Sequence, residues 1–189
     1  GSTATAQWIN QQLSGHPVIV PFVAETGGQN VLIADSSAHK EQLVQDAVLS
    51  AFNSAGQRCS ALRVLFVPHE TADRIKALLV GAMQQLRLGS PADYAADIGP
   101  VISESAVMQL KTHISPMHAL GNTICQLPLL SGATHVQPMR SGYFYPPTLI
   151  ELQAMEQLRE EIFGPVLHLV RYASNELNAV IETVNASGY

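Results

Sequence analysis

The stretch "ALRVLFVP", residues 61–68, indicates the fold class of this 189-residue chain. Its apolar residues follow one another almost without interruption, which is typical of a parallel-sheet strand buried on both faces. The residues that follow it carry apolar side chains at helical spacing: Ile75, Leu78, Leu79, Ala82 and Leu86. A buried strand followed by an amphipathic helix is the repeating unit of α/β proteins, and we therefore predict that class.

Strands and helices alternate in both directions from this stretch. The predicted helices cover residues 2–15, 38–52, 70–86, 103–120 and the end of the chain from about residue 175, and the other predicted strands cover 18–25, 30–35, 142–152 and 166–173. Because proline lacks an N–H, we expect Pro116 to disturb its helix, and Pro146 and Pro147 to confine their strand to a sheet edge. The order predicts a three-layer α/β fold whose mostly parallel sheet is covered on both faces.

Composition and charge exclude several classes of protein. The formal net charge is -5 and the ten Lys and Arg residues are scattered, so nucleic acid is not an expected partner. No apolar run approaches the ~20 residues of a membrane span, and the first residues do not resemble a signal peptide; we expect a cytoplasmic protein. The two cysteines form no CxxC pair and the seven histidines form no HxxxH motif, so we predict no metal site.

Three short stretches are candidates for chemistry. Small residues surround Cys59 in "NSAGQRCSALR", 53–63, so a reactive atom could be approached there, although a lone cysteine is also a common core residue. Glu25 in "VAETGGQN", 23–30, leaves an apolar run before two glycines, where a carboxylate serves either as a general base or as a solvated turn residue. The third stretch, "REEIFGPVLHLV", 159–170, indicates by itself only an amphipathic turn. Cys125, among large apolar residues, is interpreted as packing.

Taken in this order and spacing, "ETGGQN", "SAGQRCSALR" and "EEIFGPV" resemble the aldehyde dehydrogenase superfamily. Within it, the surrounding residues are similar to the 1-pyrroline-5-carboxylate (glutamate-semialdehyde) dehydrogenase module of PutA-type bifunctional proline utilization proteins. The resemblance implies an aldehyde dehydrogenase catalytic-domain fold and NAD-dependent oxidation of L-glutamate γ-semialdehyde to L-glutamate. The choice between NAD and NADP stays open at this point, because the resemblance places the residues that discriminate between them outside this chain.

The resemblance also implies roles for single residues. Cys59 becomes the nucleophile and Glu25 the general base that activates the hydrolytic water. Ser60 becomes a ligand of the substrate carboxylate. The residues expected to bind the cofactor are Ser2, Thr26, Gly27, Glu161 and Phe163.

By the same resemblance the chain is expected to be a piece of a longer enzyme. Residues 1–24 would be the tail end of the NAD-binding domain, and 25–189 a catalytic domain truncated at its C-terminus. The isolated chain is then expected to be inactive, and its exposed apolar surface to favour a homo-oligomer. Any FAD would belong to a proline dehydrogenase half of the parent, outside this chain.

Three other interpretations stay open at this point. One is a broad-range aldehyde dehydrogenase that acts on another aldehyde, which the polar Ser60 disfavours. Another is a non-catalytic domain in which Cys59 is a core residue. A cysteine hydrolase of the Cys-His type is weaker, because no histidine stands in a recognisable partner motif.

Overall fold

Five strands form one sheet in the computed structural model, which describes residues 1–128 and 142–188. The strands are β1 Val31–Ile33, β2 Val64–Pro68, β3 Thr123–Gln126, β4 Thr148–Leu152 and β5 Val166–Tyr172. The helices are α1 Thr3–Ser14, α2 Lys40–Phe52, α3 His69–Met83, α4 Glu104–Ala119 and α5 Leu177–Ala186. The sheet order is β1-β2-β5-β4-β3, and every neighbouring pair is parallel except β3 with β4. The predicted α/β class with a mostly parallel sheet is confirmed.

The sheet has helices on both faces. His168 of β5 contacts His113 of α4, whereas Arg171 of the same strand contacts Asp73 of α3. Since residues three apart on a strand point to opposite faces, α3 and α4 cover opposite sides of the sheet. Helix α2 packs beside α3. This arrangement gives the three predicted layers.

The central strands are those with the most continuous apolar sequence. All five residues of β2 are buried, and β2 lies between β1 and β5. In the register of β2 and β5, Val64 lies opposite His168 and Phe66 opposite Val170. Burial on both faces is therefore the physical reason for the apolar runs in both strands.

The predicted helices are present, and their first residues explain where they begin. The Ser2 side chain accepts a hydrogen bond from the Thr5 N–H at the start of α1, and Ser103 does the same for Ala106 at the start of α4. Helix α4 continues through Pro116 to Ala119, so this proline does not end it.

Two strand predictions were wrong, and one strand was missed. Residues 18–25 form no strand; Ile19 is 97% exposed and Val23 89%, so within the described ranges this apolar run has no neighbouring strand. β4 is not an edge strand, because Pro146 and Pro147 precede its first ladder residue, Thr148, and no ladder N–H is lost. The missed strand β3 forms that edge and carries Cys125, which packs partly buried against the core.

Within the described ranges, no helix combines the length and the apolar character that crossing a membrane requires. Across those same ranges, His, Cys, Asp and Glu side chains form no group of three or more that could hold a metal ion.

Candidate active site

The three candidate stretches meet at one end of the sheet, where strands β1, β2 and β5 begin. Residues 25–30 lead into β1, the Cys59 loop leads into β2, and residues 161–165 lead into β5. Because these strands are neighbours and run parallel, the loops that precede them lie at the same end of the sheet. The topology thus brings together side chains that are far apart in sequence.

The loop before Cys59 holds an unusual backbone conformation. Ser54, Ala55 and Gly56 have φ angles of 56°, 53° and 64°, three consecutive residues in the left-handed region. For a residue other than glycine this costs about 1–2 kcal/mol. A Cβ added at Gly56 would overlap the backbone carbonyl of Gly164, so only glycine allows these two loops to touch. Such strain persists where surrounding structure determines it, and it is concentrated at functional sites.

Cys59 combines a fixed backbone with an exposed side chain. The Asn30 side-chain Nδ2 donates to the Cys59 carbonyl at 2.6 Å and to the Ala61 carbonyl at 3.0 Å. A Cβ added at Gly28 would lie 3.5 Å from the same Cys59 carbonyl oxygen. The thiol itself is exposed and free. A reactant from solvent could reach Sγ while the backbone around it stays in place.

The segment that carries Glu25 contacts the N-terminus of α1. The Gly1 amino group donates to the Glu25 carbonyl at 3.0 Å, and Thr3 Oγ1 donates to the Thr26 carbonyl at 3.5 Å. The Glu25 side chain is exposed and forms no hydrogen bond with any described residue, the Cys59 thiol included. Its carboxylate therefore has room to move. Ser2, the N-cap of α1, therefore lies at the same end of the sheet as Glu25 and Thr26.

Glu161 is the most firmly held carboxylate of the site. Its Oε1 accepts from Arg63 Nη2 at 2.9 Å and Nε at 3.3 Å, and its Oε2 accepts from the Gly28 N–H at 3.2 Å. Gly27 has a φ of 131°, and a Cβ there would lie 2.6 Å from Oε2. The two glycines therefore let the backbone approach the carboxylate, whose side chain remains 14% exposed.

Phe163 and Ser60 complete the exposed part of the site. The Phe163 ring is 45% exposed, and the Arg63 guanidinium carbon lies 5.4 Å from its centroid. Ser60 is exposed beside Cys59, and its hydroxyl forms no hydrogen bond with a described residue. Both side chains are open to a ligand.

Two residues of the site, Arg63 and Asn30, were not predicted from the sequence. Arg63 is 1% exposed, and burial lowers its pKa while the Glu161 carboxylate opposes that shift. The available signal was an arginine inside the otherwise apolar run "ALRVLFVP", since a buried charge requires an opposite charge. Asn30 had no comparable signal, because its role depends on which loop packs beside it.

Comparisons with known proteins agree on one family. The model of the aldehyde dehydrogenase family matches residues 1–189. Bifunctional protein PutA of Klebsiella aerogenes is 47% identical over 100% of this chain, and that of Escherichia coli (strain K12) is 45% identical over 100%. The chain spans only 15% and 14% of their lengths. A crystal structure of a bifunctional proline utilization A (PutA) protein superposes with a TM-score of 0.87 at 42% identity, covering 100% of this chain and 18% of that one.

Proposed function

Because the chain belongs to the aldehyde dehydrogenase family, we propose that it carries the catalytic residues for NAD-dependent oxidation of L-glutamate γ-semialdehyde to L-glutamate. The observation that supports this most directly is the exposed Cys59 thiol, held on a fixed backbone next to the segment that carries Glu25. The similarity to PutA proteins supports the choice of substrate, which forms from 1-pyrroline-5-carboxylate by ring opening.

Cys59 acts as the nucleophile. Its thiolate attacks the aldehyde carbon, the carbonyl π electrons move to oxygen, and a thiohemiacetal forms on Sγ. Loss of hydride from the same carbon converts this intermediate into a thioester. NAD, when bound, supplies the two-electron acceptor for that hydride.

Glu25 acts as the general base in the second half of the reaction. It takes a proton from a water molecule, whose oxygen attacks the thioester carbon and expels the Cys59 thiolate. The sum is aldehyde, NAD⁺ and water converted to carboxylate, NADH and two protons. The exposed Glu25 side chain, unpaired with any described residue, can approach the thioester when that intermediate is present.

The residues at this end of the sheet have groups suited to binding a nicotinamide dinucleotide. A carboxylate has about four lone-pair positions, and Glu161 uses three of them for Arg63 and Gly28, so one position on its exposed side can accept from a ribose hydroxyl. The first N–H groups of α1, next to the Ser2 cap, have no intrahelical partner and favour a phosphate. Thr26 and Gly27 lie between these two regions in the segment that contacts both. Phe163 offers an exposed ring for the nicotinamide.

Ser60 determines the preference for a substrate that carries a carboxylate. Its hydroxyl is exposed directly after the nucleophile and can donate to that group. In the same proposal residues 1–24 belong with the NAD-binding domain and 25–189 with the catalytic domain. The isolated chain does not reduce NAD, and any FAD serves a proline dehydrogenase half elsewhere in the parent.

NADH formation at 340 nm tests the proposal in the full-length polypeptide, supplied with NAD and 1-pyrroline-5-carboxylate. We expect Cys59→Ala to abolish turnover and the matched variant Cys125→Ala, on strand β3, to retain it. Residual turnover by Cys59→Ala would contradict the nucleophile assignment. A native protein that oxidises an apolar aldehyde but not the semialdehyde would support the broad-range alternative instead.

A further inference from the structure

Arg63 contacts all three segments that form the candidate active site. We propose that it is a positioning residue, which fixes the Cys59 loop and the Glu161 carboxylate relative to each other. This inference rests on the proposed function, because it assumes that Cys59 reacts and that Glu161 binds the cofactor. Arg63 itself is 1% exposed, and its side-chain hydrogen bonds go to Arg58, Glu161 and Gly164 rather than to the Cys59 thiol.

The guanidinium binds two loops at once. Its Nη2 donates to the carbonyl of Arg58, the residue before Cys59, at 3.1 Å and to Glu161 Oε1 at 2.9 Å. Its Nη1 donates to the Gly164 carbonyl at 3.2 Å and its Nε donates to Glu161 Oε1 at 3.3 Å. One rigid group thus fixes the distance between the loop that carries Cys59 and the loop that carries Glu161.

The backbone of Arg63 binds the third segment and is itself fixed from behind. Its N–H donates to the Asn30 carbonyl at 3.0 Å, while the Asn30 side chain donates to the Cys59 carbonyl. The Arg63 carbonyl accepts from the His168 N–H at 2.9 Å and lies 3.0 Å from His168 Nδ1. Since β2 and β5 hold these groups in register, the position of the guanidinium is determined by the sheet.

Lysine could not replace this arginine. The planar guanidinium directs donors toward Arg58, Gly164 and Glu161 in a fixed fork, whereas an ammonium is a single point charge on a flexible stem. Burying a charge is costly, and ion pairs of this kind contribute little net stability compared with apolar packing. Its placement between two site loops therefore indicates a role in geometry more than in stability.

Arg63→Lys in the full-length polypeptide tests the inference, with Arg171→Lys as the matched control. Arg171 also pairs with carboxylates, Glu151 and Asp73, but on the sheet face covered by α3. We expect Arg63→Lys to raise the KM for NAD and to lower kcat, each about tenfold, since a misplaced group in an active site has effects of this order. Arg171→Lys should leave both within about twofold. A purely structural role would reduce the folded fraction, and so kcat, with the KM for NAD unchanged; that result would overturn the inference.

Alkylation of Cys59 by iodoacetamide, followed by peptide mass spectrometry, tests the coupling without any turnover. If Arg63 connects the two loops, the substitution Glu161→Gln must change the reactivity of the Cys59 thiol, although Glu161 forms no hydrogen bond with Cys59. We expect the alkylation rate of Cys59 to change by about threefold or more in Arg63→Lys and in Glu161→Gln, with that of Cys125 unchanged. An unchanged Cys59 rate in Glu161→Gln would overturn the inference even if Arg63→Lys failed to fold. Absence of turnover in the native protein would overturn the proposed function, and alkylation would still decide the loop coupling.

Discussion

Lowering the pH from 7.5 to 5.5 is expected to destabilise the folded chain through two histidines, the buried His168 and the half-buried His113. His113 and His168 face each other between α4 and β5, with their Nε2 atoms 2.9 Å apart. The Arg63 carbonyl can only accept, so His168 carries its proton on Nδ1 and its Nε2 accepts from His113. Burial lowers the pKa of His113 to about 4. Burial, followed by the neighbouring His113, lowers the pKa of His168 to about 3.

The sign and the size of the effect follow from these values. Histidines in the unfolded chain have a pKa near 6.5, so below that pH the unfolded state binds protons that the folded state does not bind. The free energy of unfolding therefore falls as the pH falls. At pH 5.5 this linkage amounts to about 1.4 kcal/mol for each histidine, or about 3 kcal/mol for both. Because His113 keeps some contact with solvent, we expect a loss of about 2 kcal/mol.

Urea unfolding followed by circular dichroism at pH 7.5, 6.5 and 5.5 measures this loss. The comparison variant is His113→Gln with His168→Gln, whose amides can hydrogen-bond but do not titrate. It should be less stable at pH 7.5 yet lose little stability by pH 5.5. Burial raises the pKa of Glu151, but hydrogen bonds from Arg171 and Lys76 lower it overall, so its contribution is lost only at more acidic pH. Equal losses in the native chain and the variant would refute the reasoning.

Three further substitutions test the site loops and the apolar surface. Gly56→Ala should lower the free energy of unfolding by about 2 kcal/mol or more, because the new Cβ would sit at a positive φ and overlap the Gly164 carbonyl. Urea unfolding measures this, and a decrease of less than about 0.5 kcal/mol would contradict the loop geometry. Asn30→Ala should lower the free energy of unfolding by about 1–3 kcal/mol in the same assay, since the Cys59 and Ala61 carbonyls lose their donor. An unchanged free energy of unfolding would contradict this. Ile19→Lys should reduce self-association in sedimentation runs, because Ile19 is 97% exposed in an apolar run; a monomeric native chain at high concentration would contradict this.

The sequence predicted most of the central elements because their patterns report burial directly. Strand β2 is a continuous apolar run, β5 is apolar except for His168 and Arg171, and α3 has regular helical spacing, so these signals are local. The run over 18–25 has the same apolar signal, but a strand also requires a neighbour, which sequence pattern does not specify. Strand β3 was missed because it is short, its two inner residues are only partly buried and its two outer residues, Thr123 and Gln126, are exposed, so it has no continuous apolar run.

The candidate site was predicted as separate residues and not as an arrangement. Glycines and small residues marked the loops of Glu25 and Cys59 as places where backbone and ligand approach closely, whereas Glu161 was singled out only by the resemblance to the aldehyde dehydrogenase superfamily. Their common position depends on β1, β2 and β5 being adjacent, which is a property of the topology. The contacts of Arg63 to Arg58, Gly164 and Glu161 follow from that packing, so no local pattern could indicate them.

Trapping the covalent intermediate tests the central claim most directly. Glu25→Gln in the full-length polypeptide should still form the thioester but hydrolyse it slowly, since the general base is lost. After one turnover with NAD and 1-pyrroline-5-carboxylate, an acid quench and peptide mass spectrometry should find the added glutamyl mass on the peptide that contains Cys59. The peptide that contains Cys125 should be unmodified. NADH formation with no added mass on Cys59, or with the mass on another residue, would contradict the account.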